Sequence, residues 1–396
     1  MSFSEWKNYK LGDDVVTKLG DGLHGTPIYD DNGEYYFING SNLVDGKIVI
    51  NSNTKKVTEE QFIKYKKDLS ERTILLGING TIGNIALYNN EMCILGKSAA
   101  YLNINDDFDK QFIRYVLAND HFQNYIKNNA SGTTIKNVGL GLLREYEFLA
   151  PNKTKQTKIA NILSSIDVKI ELNNQTNQTL ETIAQTLFKE MCLPKSDILP
   201  DGWKVGKLGQ VMISKGGTTP STKNEEYWGG EYSWVTPKDL SNIKTSVLLS
   251  SDRTLTEKGL KQISSGLLPK GTLLMSSRAP IGYFAISQIP VAINQGFIAI
   301  NGTDLSNLFL LYWLKLNLET VKSMGNGSTF LEISKSVFRE IDIIIPNENV
   351  LKEFEEQINP IFENIVILEQ ETQTLIALRD SLLPKLMKGE IEINNL

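Results

Sequence analysis

The chain has 396 residues, enough for two or three domains, and its 41% hydrophobic and 22% charged content is ordinary for a globular protein. A formal charge of −5 argues against a protein that coats nucleic acid indiscriminately, though not against one with a local basic groove. Two cysteines are too few for a disulfide framework, no apolar run approaches the ~20 residues that span a bilayer, and the cytoplasm is the expected compartment.

Residues 1–150 read as a mainly β domain with one embedded helix. Runs at Glu34–Ile38, Thr73–Leu76, Asn84–Tyr88 and Tyr101–Ile104, separated by Gly, Asn and Asp turns, predict strands. The spacing of Phe112, Tyr115, Val116, Phe122 and Ile126 predicts a helix over Asp109–Asn129. Lys153–Met191 then reads as a long helix. Alternating steps of four and three pick out Ile159, Leu163, Ile166, Ile170, Asn173, Asn177, Leu180, Ala184, Leu187 and Met191, a coiled-coil seam with two amides in its middle. From Ile159 to Met191 such a helix is roughly 50 Å long. One helix cannot bury so narrow a stripe by itself, so a partner helix is required. Leu193-Pro194 marks its end.

From Trp203 the pattern begins again. Trp6-Lys7 with Lys10-Leu11-Gly12 recurs as Trp203-Lys204 with Lys207-Leu208-Gly209, and Tyr35–Ile38 recurs as Tyr232–Val235. Leu75-Leu76 with Ile82-Gly83 recurs as Leu274-Met275 with Ile281-Gly282, and Gly132-Thr133-Thr134 recurs as Gly327-Ser328-Thr329. A second seam opens at Phe354, 195 residues after Ile159, and continues through Ile358, Ile361, Ile365, Leu368, Thr372, Leu375, Arg379, Leu382 and Leu386. Both helices follow one start signal, Ala150-Pro151-Asn152 and Ile345-Pro346-Asn347, with Asn as N-cap. Pro360 and Pro384 predict a kink or break in the second helix. The tail Lys388–Ile393 looks strand-like and is expected to run back beside the N-terminus.

The chain is therefore a duplicated protein of the α+β class. It comprises two tandem β-rich domains, residues 1–150 and 194–346, each followed by a helical segment, residues 151–193 and 347–396. The helices are expected to pair as an antiparallel coiled coil with pseudo-two-fold symmetry, the β domains at opposite ends. Framework residues repeat, but loops such as Tyr29–Tyr35 and Asn224–Tyr232, or Lys97–Tyr101 and Gln295–Ala299, differ completely. That is the pattern of one fold copied and given two reading surfaces.

No site for bond-making chemistry stands out. Leu95-Gly96-Lys97-Ser98 lacks the earlier glycine of a P-loop and leads into a strand-like run. Gly77–Gly83 has GxxGxxG spacing and reads as a turn between strands. His24 and His121 are isolated, which leaves no material for a metal site or triad. The chain has no Pro-Pro dipeptide, hence no Asn/Asp-Pro-Pro-aromatic loop of amino-methyltransferases.

Two Gly/Thr-Pro loops suit contact with a DNA backbone, since glycine exposes N–H groups, hydroxyls donate and lysine neutralises phosphate. The first carries Lys18, His24 and Thr26; the second carries Lys215, Thr218, Thr219 and Lys223. Lys238, Arg278 and Gln295 in the second half, with Lys97 and Lys136 in the first, are candidate base readers, each weighed against a plain solvated side chain. Trp228 and Trp234 read as anchors of core or loop. The outer helix faces hold Lys, Gln, Thr and Glu and are open to partner proteins.

The order of Tyr232–Leu240 (YSWVTPKDL), Ser277–Gly282 (SRAPIG), Ile293–Gly296 (INQG) and Ser381–Ile391 (SLLPKLMKGEI), together with the duplication, resembles a DNA specificity subunit of type I restriction–modification systems over nearly the whole chain. In the first half Asn79-Gly80-Thr81 replaces Arg-Ala-Pro and Gly96-Lys97-Ser98 replaces Asn-Gln-Gly. The resemblance implies that each β domain reads one half of a bipartite double-stranded DNA target. It implies that the helices set the spacer and dock two methyltransferase subunits, with restriction/translocase subunits joining. S-adenosylmethionine, ATP and magnesium would belong to those partners, with no cofactor or metal in this chain and no catalysis by it alone. The competing readings are a self-sufficient DNA methyltransferase or nuclease, and a coiled-coil adaptor with no DNA role.

Overall fold

The computed structural model describes residues 6–132, 136–196, 198–241, 243–327 and 331–391. It divides into two units, Met1–Val168 with Leu375–Leu396, and Lys169–Thr374. Each unit holds one β-rich module, the opening part of the long helix after it, and the closing part of the other long helix.

In the first unit Thr73–Gly77 and Ala99–Ile104 are buried along their whole length, as continuous apolar strands must be when both sheet faces are covered. They are the centre of a four-stranded antiparallel sheet ordered Val16–Asp21, Ala99–Ile104, Thr73–Gly77, Ile85–Leu87. Side chains alternate across it. Ile74, Leu76, Ala100 and Leu102 share a core with Phe112, Phe122, Ile159 and Leu163, while Leu75 and Tyr101 share another with Cys93 and Leu95. Tyr35–Ile38 pairs antiparallel with Lys56–Val57 and parallel with Cys93–Leu95. Lys7–Lys10 pairs with Glu147–Ala150, which brings the start of the module to the start of its helix.

The single helix expected over Asp109–Asn129 is two, Lys110–Ala118 and Asp120–Asn129. Asn119 between them is extended, and its side-chain oxygen accepts the His121 N–H at 2.9 Å. An Asx cap of this kind outcompetes continuation of the helix, although the apolar spacing runs straight through it.

The second unit repeats the plan. Its sheet is ordered Met212–Gly216, Phe297–Gly302, Leu273–Ser277, Ile281–Ser287, with Val247–Leu248 added in parallel at the edge. Trp228–Val235 pairs antiparallel with Arg253–Leu255 and parallel with Val291–Ile293. Lys204–Lys207 pairs with Asp342–Ile345. Phe188, Phe309 and Phe354 meet edge to face at centroid distances of 5.0, 5.7 and 6.0 Å, which locks module to helices within this unit. Each such pair adds about 0.5–1.5 kcal/mol beyond area burial.

The long helices are Lys153–Cys192 and Glu348–Met387, 40 residues each. Asn152 accepts from Lys155 N–H and Asn347 from Val350 N–H, both at 3.1 Å, so the N-caps stand where the sequence put them. Within the first unit Asp167 meets Arg379 at 3.1 Å, and Ile159 and Leu163 share a core with Leu382 and Leu386. Within the second, Asn173 meets Thr372 at 3.3 Å and Phe188 meets Phe354. Rising numbers on one helix meet falling numbers on the other, so the pairing is antiparallel. Ile159, Leu163, Ile166, Phe354, Ile358 and Ile365 are buried; Ile170, Leu180, Ile361, Leu375 and Leu382 are half-buried. Leu187 is a correction: Ala184, Phe188 and Cys192 are the buried residues there, and Leu187 lies at the flank. A strict four-three alternation assumes 3.5 residues per turn, whereas a straight helix has about 3.6, so the buried stripe creeps round the helix.

Pro360 and Pro384 do not break the second helix. Both are exposed, so each missing N–H leaves a carbonyl facing water while the buried face packs on undisturbed. The tail is also corrected: Lys388–Ile391 contains no strand, although Gly389 does lie beside the Trp6 ring. Glu392 and Ile393 fall outside the described residues. Among the described residues no helix is long and apolar enough to cross a membrane.

Candidate nucleic-acid interface

In the first unit, loops gather where the strands Val16–Asp21, Thr73–Gly77 and Cys93–Leu95 end. Gly22 lies flat on its neighbour: a Cβ there would stand 2.3 Å from the carbonyl oxygens of both Leu95 and Gly96, so only glycine fits. Leu23 N–H donates to Leu95 O at 2.7 Å, Ile78 N–H to Ser98 O at 2.9 Å, and Val138 N–H to Ile78 O at 2.8 Å. The Ser98 hydroxyl bonds Asn39 Oδ1 at 3.0 Å and accepts from Gly40 N–H at 2.9 Å. Gly77–Gly83 is the strand-to-strand turn the sequence suggested, and Ala99–Ile104, after the P-loop-like fragment, is a strand.

The second unit rebuilds the same framework. A Cβ on Gly217 would stand 1.8 Å from Ile293 O, and Thr218 N–H donates to that oxygen at 3.2 Å. Ser277 N–H donates to Gly296 O at 2.8 Å and Ile333 N–H to Ser277 O at 3.0 Å, matching the Ile78 and Val138 bonds. Where Asn79 faces Asn137 in the first unit, Arg278 faces Glu332 in the second. Gly80 and Ala279 both have a left-handed φ, 74° and 49°, although the bond after Ala279 is a cis peptide to Pro280 and the bond after Gly80 is trans. The hydrogen-bonded frame is kept and the side chains are changed.

Within these frameworks the candidate residues sort by what already occupies them. Lys97 and Lys136 in the first unit, and Lys215 and Lys223 in the second, are exposed and have no ion-pair partner among the described residues. Thr26 is exposed beside them in sequence with His24, whose Nε2 lies 2.7 Å from Asp21 Oδ2. Lys18 is not brought to the cluster: it sits level with Asn103 and pairs with Asp68 at 3.3 Å, toward the other end of the sheet. The Thr218 hydroxyl is spent internally, donating to Gln262 O at 2.7 Å and accepting from Ser264 N–H at 3.1 Å. Thr219 hydrogen-bonds Gln295, which joins the loop to the Ile293–Gly296 segment. Lys238 lies 3.4 Å from Asp252, and Arg278 lies 3.7 Å from Glu332. Such exposed pairs contribute only about 0–1 kcal/mol, so either cation can exchange its carboxylate for a phosphate. Thr133, Thr134, Ser328 and Thr329 lie outside the described residues.

Sequence reasoning missed two supports. Asn137 and Glu332 face the turn residues across a short β-bridge, which an offset comparison of the two halves could have found. Buried Asp239 accepts the Thr236 N–H and hydroxyl, both at 2.7 Å, and the Asp252 N–H at 2.8 Å, fixing the turn that carries Lys238. Trp234 and Trp228 are anchors, as their setting suggested: their indole N–H groups donate to Thr218 O at 3.3 Å and Ser221 O at 3.2 Å.

Each module is pinned to helix within its own unit by a largely buried carboxylate. Asp167 accepts the Tyr115 hydroxyl at 2.6 Å, Arg114 at 2.8 Å and Arg379 at 3.1 Å. Burial alone would raise its carboxyl, but Tyr115 and the two guanidiniums outweigh it and hold Asp167 below its ordinary 3.8. In the second unit Glu181 takes Lys315 at 2.6 Å and the Tyr312 hydroxyl at 3.4 Å. Glu369 differs: burial pushes its carboxyl up, only partly opposed by Thr245 and Lys244. Burial likewise pushes the Cys93 and Cys192 thiols up to about 12, which leaves them unreactive.

A family model described as the type I restriction modification DNA specificity domain matches residues 4–182 and again residues 200–377. The chain belongs to this family. The MjaIX specificity subunit of Methanocaldococcus jannaschii is 42% identical over 166 residues, 41% of this chain and 38% of that protein. The match therefore spans well under half of that relative. The HindI specificity subunit of Haemophilus influenzae is 24% identical, with 98% of this chain and 100% of that one covered. The S subunit of a type I restriction–modification system from M. genitalium has the same fold, with a TM-score of 0.61 at 19% identity and 96% of each chain covered. The two family domains carry the two loop clusters, one each.

Proposed function

We propose that this chain is the DNA-reading, non-catalytic specificity subunit of a type I restriction–modification complex. The observation that carries the reading is the pair of loop clusters: one backbone framework twice over, presenting different side chains. A protein that must recognise two unlike half-sequences in one duplex needs that combination. Residues 1–150 and 194–346 are the two target-recognition domains; residues 151–193 and 347–396 are the spacer helices that fix the distance between half-sites. Contact runs through unpaired Lys97, Lys136, Lys215 and Lys223, with Thr26, Thr219, Gln295 and Arg278 on the same loops.

The partners are double-stranded DNA, two methyltransferase subunits and restriction/translocase subunits, working in the cytoplasm. S-adenosylmethionine, ATP and magnesium are held by those subunits. The helix surface supports docking of two like partners. Leu172 and Ile183 are exposed at 54% and 44%, and so are Ile367 and Leu378 at 59% and 44%. Each residue has its counterpart one repeat offset away, 195 residues on, so the same exposed apolar positions occur in both repeats.

The test is to express the chain with a methyltransferase subunit and map methylated adenines. Exchanging residues 200–346 for those of a relative should change one half of the methylated sequence. A change in both halves, or in neither, contradicts the two-head reading.

A further inference from the structure

At the rim of each loop cluster the two modules keep one arrangement and change its residues. In the second module Trp228 meets Trp234 edge-on, with ring centroids 5.0 Å apart and planes at 79°. Arg253, paired with Trp234 across the adjoining strand, lays its guanidinium carbon 3.5 Å from the Trp228 ring centroid and 5.4 Å from that of Trp234. The two indoles also hold the Gly217–Lys223 loop through its carbonyls, so the stack joins the buried core around Trp234 to the interface loop. Arg253 is exposed, and no carboxylate pairs with it among the described residues, although the adjacent Asp252 pairs with Lys238.

In the first module Tyr29 meets Phe37 edge-on at 5.7 Å. Tyr29 bridges Val57 as Trp228 pairs with Leu255, so Lys55, two residues before Val57, stands where Arg253 stands two before Leu255. An edge-on aromatic pair is thus retained, with a cationic residue at the same strand position, while ring type and cation type change.

Stacking decides what the arginine can do. A guanidinium laid on an indole has its plane fixed and its N–H edge turned outward as a fork, matching two coplanar acceptors. Rotamer freedom is already surrendered before binding, so less is lost on contact. A lone phosphate charge needs no such fixed plane, whereas the O6 and N7 edge of guanine does. We propose that Arg253 is a specificity-determining residue of the second module, its stacked guanidinium taking the O6/N7 edge of a guanine in that half-site. This rests on the DNA-reading function proposed above.

The experiment compares the parent complex with Arg253→Lys and Arg253→Gln, each assembled with methyltransferase subunits. Affinity is measured on duplexes carrying every single-base change in both half-sites, at several salt concentrations, and each variant's unfolding midpoint is recorded. Arg253→Gln should lose roughly 10- to 100-fold discrimination at one guanine of one half-site, leaving the other half-site untouched. Arg253→Lys should lose the same discrimination while keeping the salt slope. Equal weakening on all sequences, with a salt slope smaller by about one, would mark a phosphate contact and overturn the assignment. So would unchanged discrimination in a folded variant. A parent complex that reads no bipartite sequence would instead overturn the DNA-reading function itself.

Discussion

Asp167→Asn tests how a module is fixed to its helix. The Asp167 side chain is 19% exposed and gathers Tyr115 and Arg114 at 2.6 and 2.8 Å, the distances of charge-assisted bonds, and Arg379 at 3.1 Å. Asparagine keeps the shape and one acceptor but removes the charge, so Arg114 loses its counter-ion while Arg379 keeps Asp380 at 2.8 and 2.9 Å. Charge-assisted bonds contribute about 1.5–3 kcal/mol each, and breaking a buried pair costs about 3–5 kcal/mol; residual exposure brings the expectation to about 2–3 kcal/mol. Urea unfolding of the full chain, with hydrogen exchange across residues 153–168 and 375–387, reads both size and place. The pH dependence is fixed in sign. The Asp167 carboxyl is depressed in the folded state, so its contribution is present above the ordinary 3.8 and lost as pH falls through the folded value. The variant's deficit should therefore shrink in acid. A loss below about 0.5 kcal/mol, or a deficit independent of pH, would refute the reasoning.

Asn177 is buried with both amide atoms unpartnered among the described residues, so Asn177→Leu should raise the unfolding free energy by about 1–3 kcal/mol. A loss of stability would mean that the amide fixes helix register. The Glu369 carboxyl is raised in the folded state, so its protein gains stability as pH falls through the folded value toward 4.5. Glu369→Gln should be the more stable form at neutral pH and should lack that gain in a pH series of melts. Gly217→Ala places a Cβ 1.8 Å from Ile293 O, so the loop must move; one half of the methylated sequence should degrade while the other holds. Equal damage to both halves would show that the clusters are not independent.

Much of the fold was legible because duplication doubles every signal. Asn152 and Asn347 could be placed as caps from a start motif seen twice, and the two seams confirmed one another at a fixed offset. What failed were features that sequence spacing averages away. The apolar period runs through Asn119 unchanged, yet one side-chain oxygen ends the helix there. Phe188 replaced Leu187 in the core because a few degrees per turn accumulate over a long helix. Lys18 matched a promising loop by sequence, but strand register put it near Asp68. Arg253 carried no motif; it gained meaning only when pairing across strands set it on Trp228. Loop chemistry depends on contacts between distant segments, and those are what a linear reading lacks.

The second unit is one unbroken stretch of chain, Lys169–Thr374, whereas the first is completed by Leu375–Leu396 from the far end. Order of synthesis follows. The ribosome delivers the first module early, but Ile159 and Leu163 receive Leu382 and Leu386 only after the whole second module has been made. A chain that stops short presents an uncovered apolar stripe, the feature that chaperones and proteases bind. The first reading head is thus finished only after the second has been synthesised, which ties the completion of one to the making of the other.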